Sequence, residues 1–343
     1  MKTWEITILP GDGIGPELIK SSMPILRSIN KKFKISMKIH LGSAGYNTIK
    51  NYGTNLPEST IKLLKKSDCV VKGPMTTPEE PGSEISAAVK IRKMFELYAD
   101  VRPVKTLPSV NSLKPNIDFV IVRENTEGMY SGLDYMVSKD TAVGLRVITK
   151  SGSERIGKFS LGLAKNRKKH LTIVHKGNIL KISDGLFKST IEKLHREGYK
   201  SILLDDAHVD AMAQWLIKKP EDYDVLVTEN LFGDILSDEA AMLVGGVGVC
   251  PSANIGESFA MFEPVHGSAP KYAGMDKANP IATILSIKMM YEWMGYSSAA
   301  RLLQTSVEKT LESGIKTYDI GGTNSLSEVS KAILSEILSY NKR

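Results

Sequence analysis

Two aspartates four residues apart are the clearest sign of chemistry in this sequence. Asp234 and Asp238 lie in a segment, 230–241, whose other residues are mostly apolar. On a helix this spacing places both carboxylates on one face. Such pairs usually lie on a solvated surface, but in an apolar setting two unpaired like charges are costly to bury. A hard divalent cation, Mg²⁺ or Mn²⁺, would relieve that cost, and Asp210 is a plausible third ligand.

Three arginines follow one another within a short interval of the chain. Arg92, Arg102 and Arg123 each adjoin apolar residues. A single arginine at a strand end usually forms a structural ion pair, whereas three of them suggest forked donors for a substrate with several carboxylates. Tyr130 and Lys176 are candidates for proton transfer, although either residue taken singly is more often structural.

The elements that must position these residues alternate between short β-branched runs and amphipathic helical stretches. This alternation predicts an α/β layered fold. Helices are predicted to begin near Pro16 and Pro57 and to cover 279–294. The segment 128–150 has no helical periodicity and is predicted to form an arm or a hairpin. The runs predicted as strands are 6–9, 35–41, 68–72, 119–123, 171–175, 201–205 and 225–228.

A glycine-rich segment near the N-terminus, Gly11 to Pro16, follows a strand-like run and precedes a helix. Its spacing differs from the dinucleotide-binding fingerprint because the third glycine comes too early. Residues 33–40 also contain no acidic side chain for a ribose hydroxyl. We therefore interpret the segment as a tight turn at the rim of a sheet.

Composition limits the class of protein. At 343 residues and 42% hydrophobic content, the chain can bury a sizeable core, in two domains or one interleaved unit. The net charge of +7 comes with short basic clusters that lack interleaved aromatic side chains, so no nucleic-acid partner is expected. Cys69 and Cys250 lie far apart and form no CxxC pair. Without signal-peptide features or a membrane-spanning apolar stretch, a soluble cytoplasmic protein is expected.

Eight ordered motifs resemble the β-decarboxylating dehydrogenases, the family of isocitrate, homoisocitrate and 3-isopropylmalate dehydrogenases. The resemblance implies an α/β isocitrate/isopropylmalate dehydrogenase-like fold that is not a Rossmann fold. It implies a large domain from 1–98 plus 245–343, a small domain from 99–127 plus 151–244, and a dimer arm from 128–150. The motifs are GDGIGPE at 11–17, KGPMTTP at 72–78, VRP at 101–103, RENTEGMY at 123–130, VHKGN at 174–178, ENLFGDILSDEAA at 229–241, ANIG at 253–256 and EPVHGSAPKYAG at 263–274.

The resemblance also implies roles for the candidate catalytic residues. Asp234 and Asp238 of one subunit, with Asp210 of the other, would bind Mg²⁺ or Mn²⁺ beside the substrate, so a homodimer would share its active sites. Lys176 would cross the same interface and help to remove the hydroxyl proton. Tyr130 would protonate the enolate that decarboxylation leaves.

Substrate choice within the family depends on the helix that contains Arg92. Ser86 stands where isocitrate enzymes use a serine, but Ala88 replaces their usual asparagine, and a leucine-rich isopropyl pocket is missing. Features elsewhere, at 76–78, 271–272 and 289–295, look most like isocitrate dehydrogenases, so we expect isocitrate as substrate, oxidised to 2-oxoglutarate. The loop at 79–83 has its own length and composition, which leaves homoisocitrate and 3-isopropylmalate as alternatives. The residues implied to bind this small carboxylate substrate are Ser86, Arg92, Arg102, Arg123, Tyr130 and Lys176.

Coenzyme choice is expected to depend on the residues after the HG dipeptide. In this family an acidic residue after the proline goes with NAD, whereas Lys-Tyr goes with NADP, and this chain has Lys271 and Tyr272. A cation suits a 2′-phosphate. Gly322 and its neighbour Gly321 stand where some NADP-dependent relatives carry an arginine, so NAD remains an alternative. The other residues implied to bind the coenzyme are Thr76, Asn178, His266, Gly267, Ser268, Ala269, Asn279 and Tyr318.

A non-catalytic regulatory subunit with this fold is the remaining alternative. Such a subunit would be expected to lose catalytic groups. All five are present here, namely Tyr130, Lys176, Asp210, Asp234 and Asp238, so the sequence favours an enzyme.

Overall fold

The computed structural model describes residues 2–78, 80 and 82–340. Two residues of the specificity loop at 79–83, Glu79 and Pro81, therefore lie outside the described residues. Strands are β1 (Trp4–Leu9), β2 (Met37–Leu41), β3 (Cys69–Lys72), β4 (Ala99–Lys105), β5 (Asp118–Glu124), β6 (Asp134–Met136), β7 (Ala142–Gly144), β8 (His170–His175), β9 (Leu203–His208), β10 (Val225–Thr228), β11 (Pro251–Ile255) and β12 (Ala260–Pro264). Helices are α1 (Gly15–Phe33), α2 (Tyr46–Tyr52), α3 (Glu58–Lys66), α4 (Ala87–Met94), α5 (Lys150–Lys165), α6 (Ser183–Gly198), α7 (Val209–Lys218), α8 (Asn230–Leu243), α9 (Ile281–Trp293), α10 (Ser297–Glu312) and α11 (Leu326–Ser339).

Ten of these strands form one sheet in the order β2-β1-β3-β12-β11-β4-β5-β10-β8-β9. Strand β11 runs antiparallel to both of its neighbours, and β4 runs antiparallel to β5, while the other pairs are parallel. Strands β3 and β10 are buried along their whole length, as expected for parallel strands covered on both faces. The predicted α/β class is confirmed.

Each of the seven runs predicted as strands overlaps a strand, but β4, β11 and β12 were not predicted. Strand β4 contains Asp100, Arg102 and Pro103, which are unusual inside a sheet. Pro103 is tolerated because the pairing of β4 with β11 covers only Ala99 to Val101, whereas the β5 side extends to Lys105.

The glycine-rich segment forms the predicted tight turn. Gly11 and Gly13 have positive φ angles, and a Cβ at Gly13 would lie 1.9 Å from the carbonyl oxygen of Ser268. Asp12 is buried between them and accepts hydrogen bonds from the backbone N–H groups of Tyr46, Asn47 and Thr76. Its carboxylate therefore fixes the loop and does not serve a ribose.

The sheet is continuous across the predicted domain boundaries. The boundary at 98/99 falls just before β4, and the one at 244/245 falls just after α8, so β11 and β4 pair across the division. Segment 128–150 contains the β6–β7 hairpin, and a bridge between Gly128 and Val147 closes its base. In the part of the chain that the structure describes, no helix has the length and apolarity needed to cross a membrane.

Candidate active site

Helix α8 carries the two aspartates, and Glu229 caps its first turn. The Glu229 carboxylate accepts hydrogen bonds from the backbone N–H of Phe232 at 3.0 Å and of Leu231 at 3.1 Å. The helix then places Asp234 and Asp238 one turn apart, as the spacing predicted. Asp234 is half-buried and Asp238 is exposed, so both carboxylates are open to a ligand.

Two arginines from adjacent strands surround Asp234. Arg123 on β5 is only 1% exposed, and it donates one hydrogen bond to Asp234 and two to Asn230, at 3.0 and 2.7 Å. Arg102 on β4 donates to Asp100 at 2.9 Å and lies 3.5 Å from Asp234. The predicted arginines therefore converge on the predicted metal-binding carboxylates.

The electrostatics of this cluster separate the two aspartates. Burial alone would raise the pKa of Asp234, but the charges of Arg123 and Arg102 outweigh it and hold that pKa below its usual range. The Asp238 side chain is 65% exposed, but the hydration that it does lose raises its pKa, and Arg102 offsets this only in part. Tyr130 donates a hydrogen bond to Asp234, and burial followed by this bond raises the pKa of its phenol. Tyr130 therefore keeps its proton at neutral pH.

The third arginine, Arg92 on α4, is held in a separate buried ion pair. Its Nη2 lies 3.0 Å from Glu263, which also pairs with Lys72 and accepts a hydrogen bond from Asn254 at 2.9 Å. The positive charge of Arg92 extends to Asp234, where it lowers the pKa further. Ser86 precedes the first turn of the same helix and is partly exposed.

Replacing Glu263 by glutamine should destabilise the fold by about 3–5 kcal/mol, because Lys72 and Arg92 would lose their buried partner. Burial would raise the pKa of Glu263, but Lys72 and Arg92 outweigh it and lower that pKa. The native chain should therefore keep its full advantage over the variant in free energy of unfolding above pH 4.5. This advantage should decrease as the pH falls towards the lowered pKa of Glu263. Urea unfolding at several pH values measures both effects.

Glu197→Gln is the control for this prediction, since Glu197 pairs with Lys193 on an exposed helix surface. Its loss should change the free energy of unfolding far less. Equal losses for the two variants at neutral pH would contradict the assigned importance of the buried pair.

Lys176 and Asp210 lie together, apart from the cluster around Asp234. Lys176 follows β8, and its Nζ lies 2.6 Å from Asp210 in the first turn of α7. Among the described residues, no three His, Cys, Asp or Glu side chains lie close enough together to hold a metal ion. A single chain therefore does not join Asp210 to Asp234 and Asp238.

Large apolar side chains are exposed on the elements around both groups. They include Ile235 and Met242 on α8, Ile182 after β8, Ile217 on α7 and Met136 in the hairpin. Ile182 is 89% exposed and Met242 is 68% exposed. The apolar flanks of the two aspartates are thus only partly buried. Exposed apolar side chains of this size are typical of interaction surfaces.

The predicted coenzyme residues gather around a cavity of about 1120 Å³. Thr76 and Ser268 lie beside it and share a hydrogen bond of 2.7 Å between their hydroxyl groups. Asn178 is exposed two residues after Lys176 and does not line this cavity. The predicted residues that do line it are His266, Gly267, Ala269, Tyr272, Asn279 and Tyr318.

Charges of both signs lie around this cavity, with Lys277, Asp276 and Asp319 in its lining and Lys271 beside it. Lys271 extends over the ring of Tyr272 with its Nζ 5.0 Å from the ring centre. Asp319 also lines the cavity, but its two oxygens accept hydrogen bonds from Asn279 at 3.0 Å and Thr317 at 2.5 Å. Tyr318 is 85% exposed beside them. The other lining carboxylate, Asp276, accepts hydrogen bonds from the backbone N–H and the hydroxyl of Ser327 at 2.9 and 2.7 Å, so both carboxylates are engaged by neutral donors.

Comparison with known proteins identifies the family. The protein-family model described as isocitrate/isopropylmalate dehydrogenase matches residues 5–334 of this chain. The chain belongs to this family. It is 39% identical to the 3-isopropylmalate dehydrogenase of Sulfurisphaera tokodaii over 98% of both chains. It is 42% identical to the homoisocitrate dehydrogenase of Methanocaldococcus jannaschii over 97% of both. The crystal structure of isocitrate dehydrogenase from Methylococcus capsulatus matches with a TM-score of 0.92 at 37% identity, covering 97% of this chain and 98% of that one.

As a member of the decarboxylating dehydrogenase family, the chain is an oxidoreductase for small carboxylate substrates. The family uses NAD or NADP and a divalent metal ion. In this chain, the candidate sites for these ligands are the cavity at the glycine-rich turn and the arginine–aspartate cluster.

Several residues that shape the cluster were not singled out from the sequence. Glu263, Glu229 and Asn230 lie inside motifs that resemble the family, and Asp100 lies two residues before Arg102. The sequence feature that could have identified these residues is a charged or amide side chain near the end of a run that forms a buried strand. Asp184, which contacts the backbone of Lys176, had no such signal because it lies in a polar helix.

Proposed function

We propose that this protein oxidises the 2-hydroxyl group of homoisocitrate and releases the adjacent C3 carboxylate as carbon dioxide. The observation that carries the proposal is the pairing of Arg102 and Arg123 with Asp234 beside Tyr130, with the charge of Arg92 near enough to lower the pKa of Asp234. Three guanidinium groups suit a substrate with three carboxylates. Tyr130 as the donor and Asp234 as the acceptor suit proton transfer next to these guanidinium groups.

The carboxylates of the cluster fit a hard divalent cation. Asp234 and Asp238 offer oxygen donors one turn apart, and the pKa of Asp234 is held low enough for it to stay ionised. In the dimer that we propose, Asp210 of the partner subunit would supply the third carboxylate. When bound, Mg²⁺ or Mn²⁺ would polarise the substrate oxygens and stabilise developing negative charge.

The chain's own residues would perform the remaining steps. Arg92, Arg102 and Arg123 would orient the substrate carboxylates so that the hydrogen on C2 faces the nicotinamide. Lys176 of the partner subunit would take the hydroxyl proton as the hydride leaves C2. After carbon dioxide departs, Tyr130 would donate its proton to C3 of the enolate, since its raised pKa keeps the phenol protonated.

Homoisocitrate is preferred over the isocitrate expected from the sequence because curated relatives favour the alternative substrates. Ser86 and the cation Lys93 on α4 suit a terminal carboxylate better than an isopropyl group; Lys93 Nζ lies 3.4 Å from the carbonyl oxygen of Ser131, next to Tyr130. 3-Isopropylmalate is the second candidate, supported by the relative of that name and by the half-buried Val89 beside Ser86.

The assay that tests the proposal follows coenzyme reduction with Mg²⁺ or Mn²⁺ and each of homoisocitrate, 3-isopropylmalate and isocitrate. The highest kcat/KM should belong to homoisocitrate, and EDTA should abolish turnover. A higher kcat/KM with 3-isopropylmalate would transfer the assignment to that substrate. The absence of turnover with all three would support a regulatory subunit.

The exposed apolar side chains support a homodimer with shared active sites. Ile235 and Met242 flank the metal-binding aspartates, while Ile182 lies close in sequence to Lys176. If these surfaces meet across a twofold axis, Lys176 and Asp210 of one subunit would approach Asp234 of the other. The β6–β7 hairpin would pair with its symmetry mate and cover its open edges.

NADP is the proposed coenzyme, and Lys271→Asp should reverse the preference. The substitution replaces attraction for the 2′-phosphate by repulsion, so the ratio of kcat/KM for NADP to that for NAD should fall about 100-fold. Lys309→Asp makes the same charge change at an exposed position on α10 and should leave the ratio unaltered. An unchanged ratio in Lys271→Asp would remove Lys271 from the coenzyme site.

A further inference from the structure

A buried ion cluster connects the loop of Lys176 to the first turn of α8. It consists of Arg146 at the base of the hairpin segment, Asp184 in the first turn of α6, and Glu229 at the cap of α8. The side chains of Asp184 and Glu229 are 1% and 3% exposed, and that of Arg146 is 13% exposed. We call these three residues the linking cluster.

Each carboxylate of the linking cluster holds one part of the catalytic apparatus. Asp184 accepts a hydrogen bond of 2.5 Å from the backbone N–H of Lys176, and its other oxygen pairs with Arg146. Glu229 caps the helix that carries Asp234, and its Oε2 lies 3.6 Å from Arg146 Nε.

Arg146 is the only member that contacts both carboxylates. Its guanidinium also lies over the ring of Phe232, 5.3 Å from the ring centre, in the first turn of α8. Its Nη1 is buried and, among the described residues, has no hydrogen-bond partner. A buried cation between two carboxylates is costly to disturb, because removing it leaves two like charges unpaired.

We propose that Arg146 is a positioning residue that couples the two active sites of the dimer. This inference rests on the proposed function, in which Lys176 serves the partner's site and Asp234 serves the chain's own site. Through Asp184, Arg146 sets the backbone of Lys176, and through Glu229 it sets the start of α8. A shift of this side chain therefore changes both sites at once.

The three residues have different expected signatures. Asp184→Asn leaves one oxygen for two donors, so it should lower kcat about 10-fold while Mn²⁺ binding stays unchanged. Glu229→Gln weakens the cap of α8, so it should weaken Mn²⁺ binding about 10-fold. Arg146→Gln should show both effects, and Arg146→Lys should recover part of each.

The experiment measures kcat by coenzyme reduction and Mn²⁺ binding by titration calorimetry on the full-length dimer, with circular dichroism to check folding. Arg155→Gln is the matched control. Arg155 is also partly buried, donates to Thr126 at 2.7 Å and lies over the ring of Tyr98, but it contacts neither Asp184 nor Glu229. It should lower the melting temperature without changing Mn²⁺ affinity.

The inference would be overturned if Arg146→Gln and Arg146→Lys both fold and keep native kcat and native Mn²⁺ affinity. An Arg155→Gln control with the same losses would also overturn it, since the effect would then be general destabilisation. Failure of the proposed function has a different signature, because the unmodified protein would then reduce no coenzyme whereas the pattern of Mn²⁺ affinities would persist.

Discussion

Asp234→Asn is expected to lower kcat/KM about 1000-fold, which corresponds to about 4 kcal/mol of transition-state stabilisation. The variant keeps the size of the side chain but loses the charge that would hold the metal ion. It also keeps only one acceptor oxygen, where Asp234 offers one to Arg123 and Arg102 and the other to Tyr130. The measurement is kcat/KM at increasing Mg²⁺ concentration, and excess metal should restore little activity.

Glu239→Gln is the control because Glu239 lies on the same helix and is not part of the cluster. It should retain nearly native kcat/KM. Melting temperatures of both variants separate a loss of chemistry from a loss of fold, since Asp234 is partly exposed and its removal should be tolerated. Native activity in Asp234→Asn would exclude this residue as a metal ligand.

Mixed dimers of Lys176→Met and Asp234→Asn chains are expected to regain about a quarter of native activity, although each variant alone is nearly inactive. Random reassociation makes half of the dimers mixed. In a shared-site dimer, one of the two sites of each mixed dimer combines an intact Lys176 with an intact Asp234. Joint unfolding and refolding of the two variants, followed by the coenzyme assay, measures this recovery.

The mixture of Lys176→Met with unmodified chains is the reference for refolding, because it should give about half of native activity whether or not subunits exchange. The fraction of mixed dimers, measured by native mass spectrometry, reports how completely subunits exchange. If subunits exchange fully but the mixture of the two variants stays inactive, Lys176 and Asp234 act within one chain. The proposed dimer would then be wrong, whereas the decarboxylating dehydrogenase family would remain.

Local sequence signals predicted much of the fold. The spacing of Asp234 and Asp238 places them one turn apart because an α-helix repeats every 3.6 residues, and β-branched runs predicted the buried parallel strands β3 and β10. The sequence did not predict β4, whose Asp100 and Pro103 are unfavourable in an isolated strand. Pairing with β5 and β11 overrides that local preference.

The ordered motifs determined the family and the set of candidate residues, but only the tertiary structure decided how those residues are grouped. Arg123 and Asp234 lie 111 positions apart and meet because α8 packs against β5. Lys176 and Asp210 gather separately, since β8 and β9 end at a different part of the sheet. Helical and strand periodicity act over a few residues, whereas contacts between distant ion partners depend on strand order and on which charges become buried together.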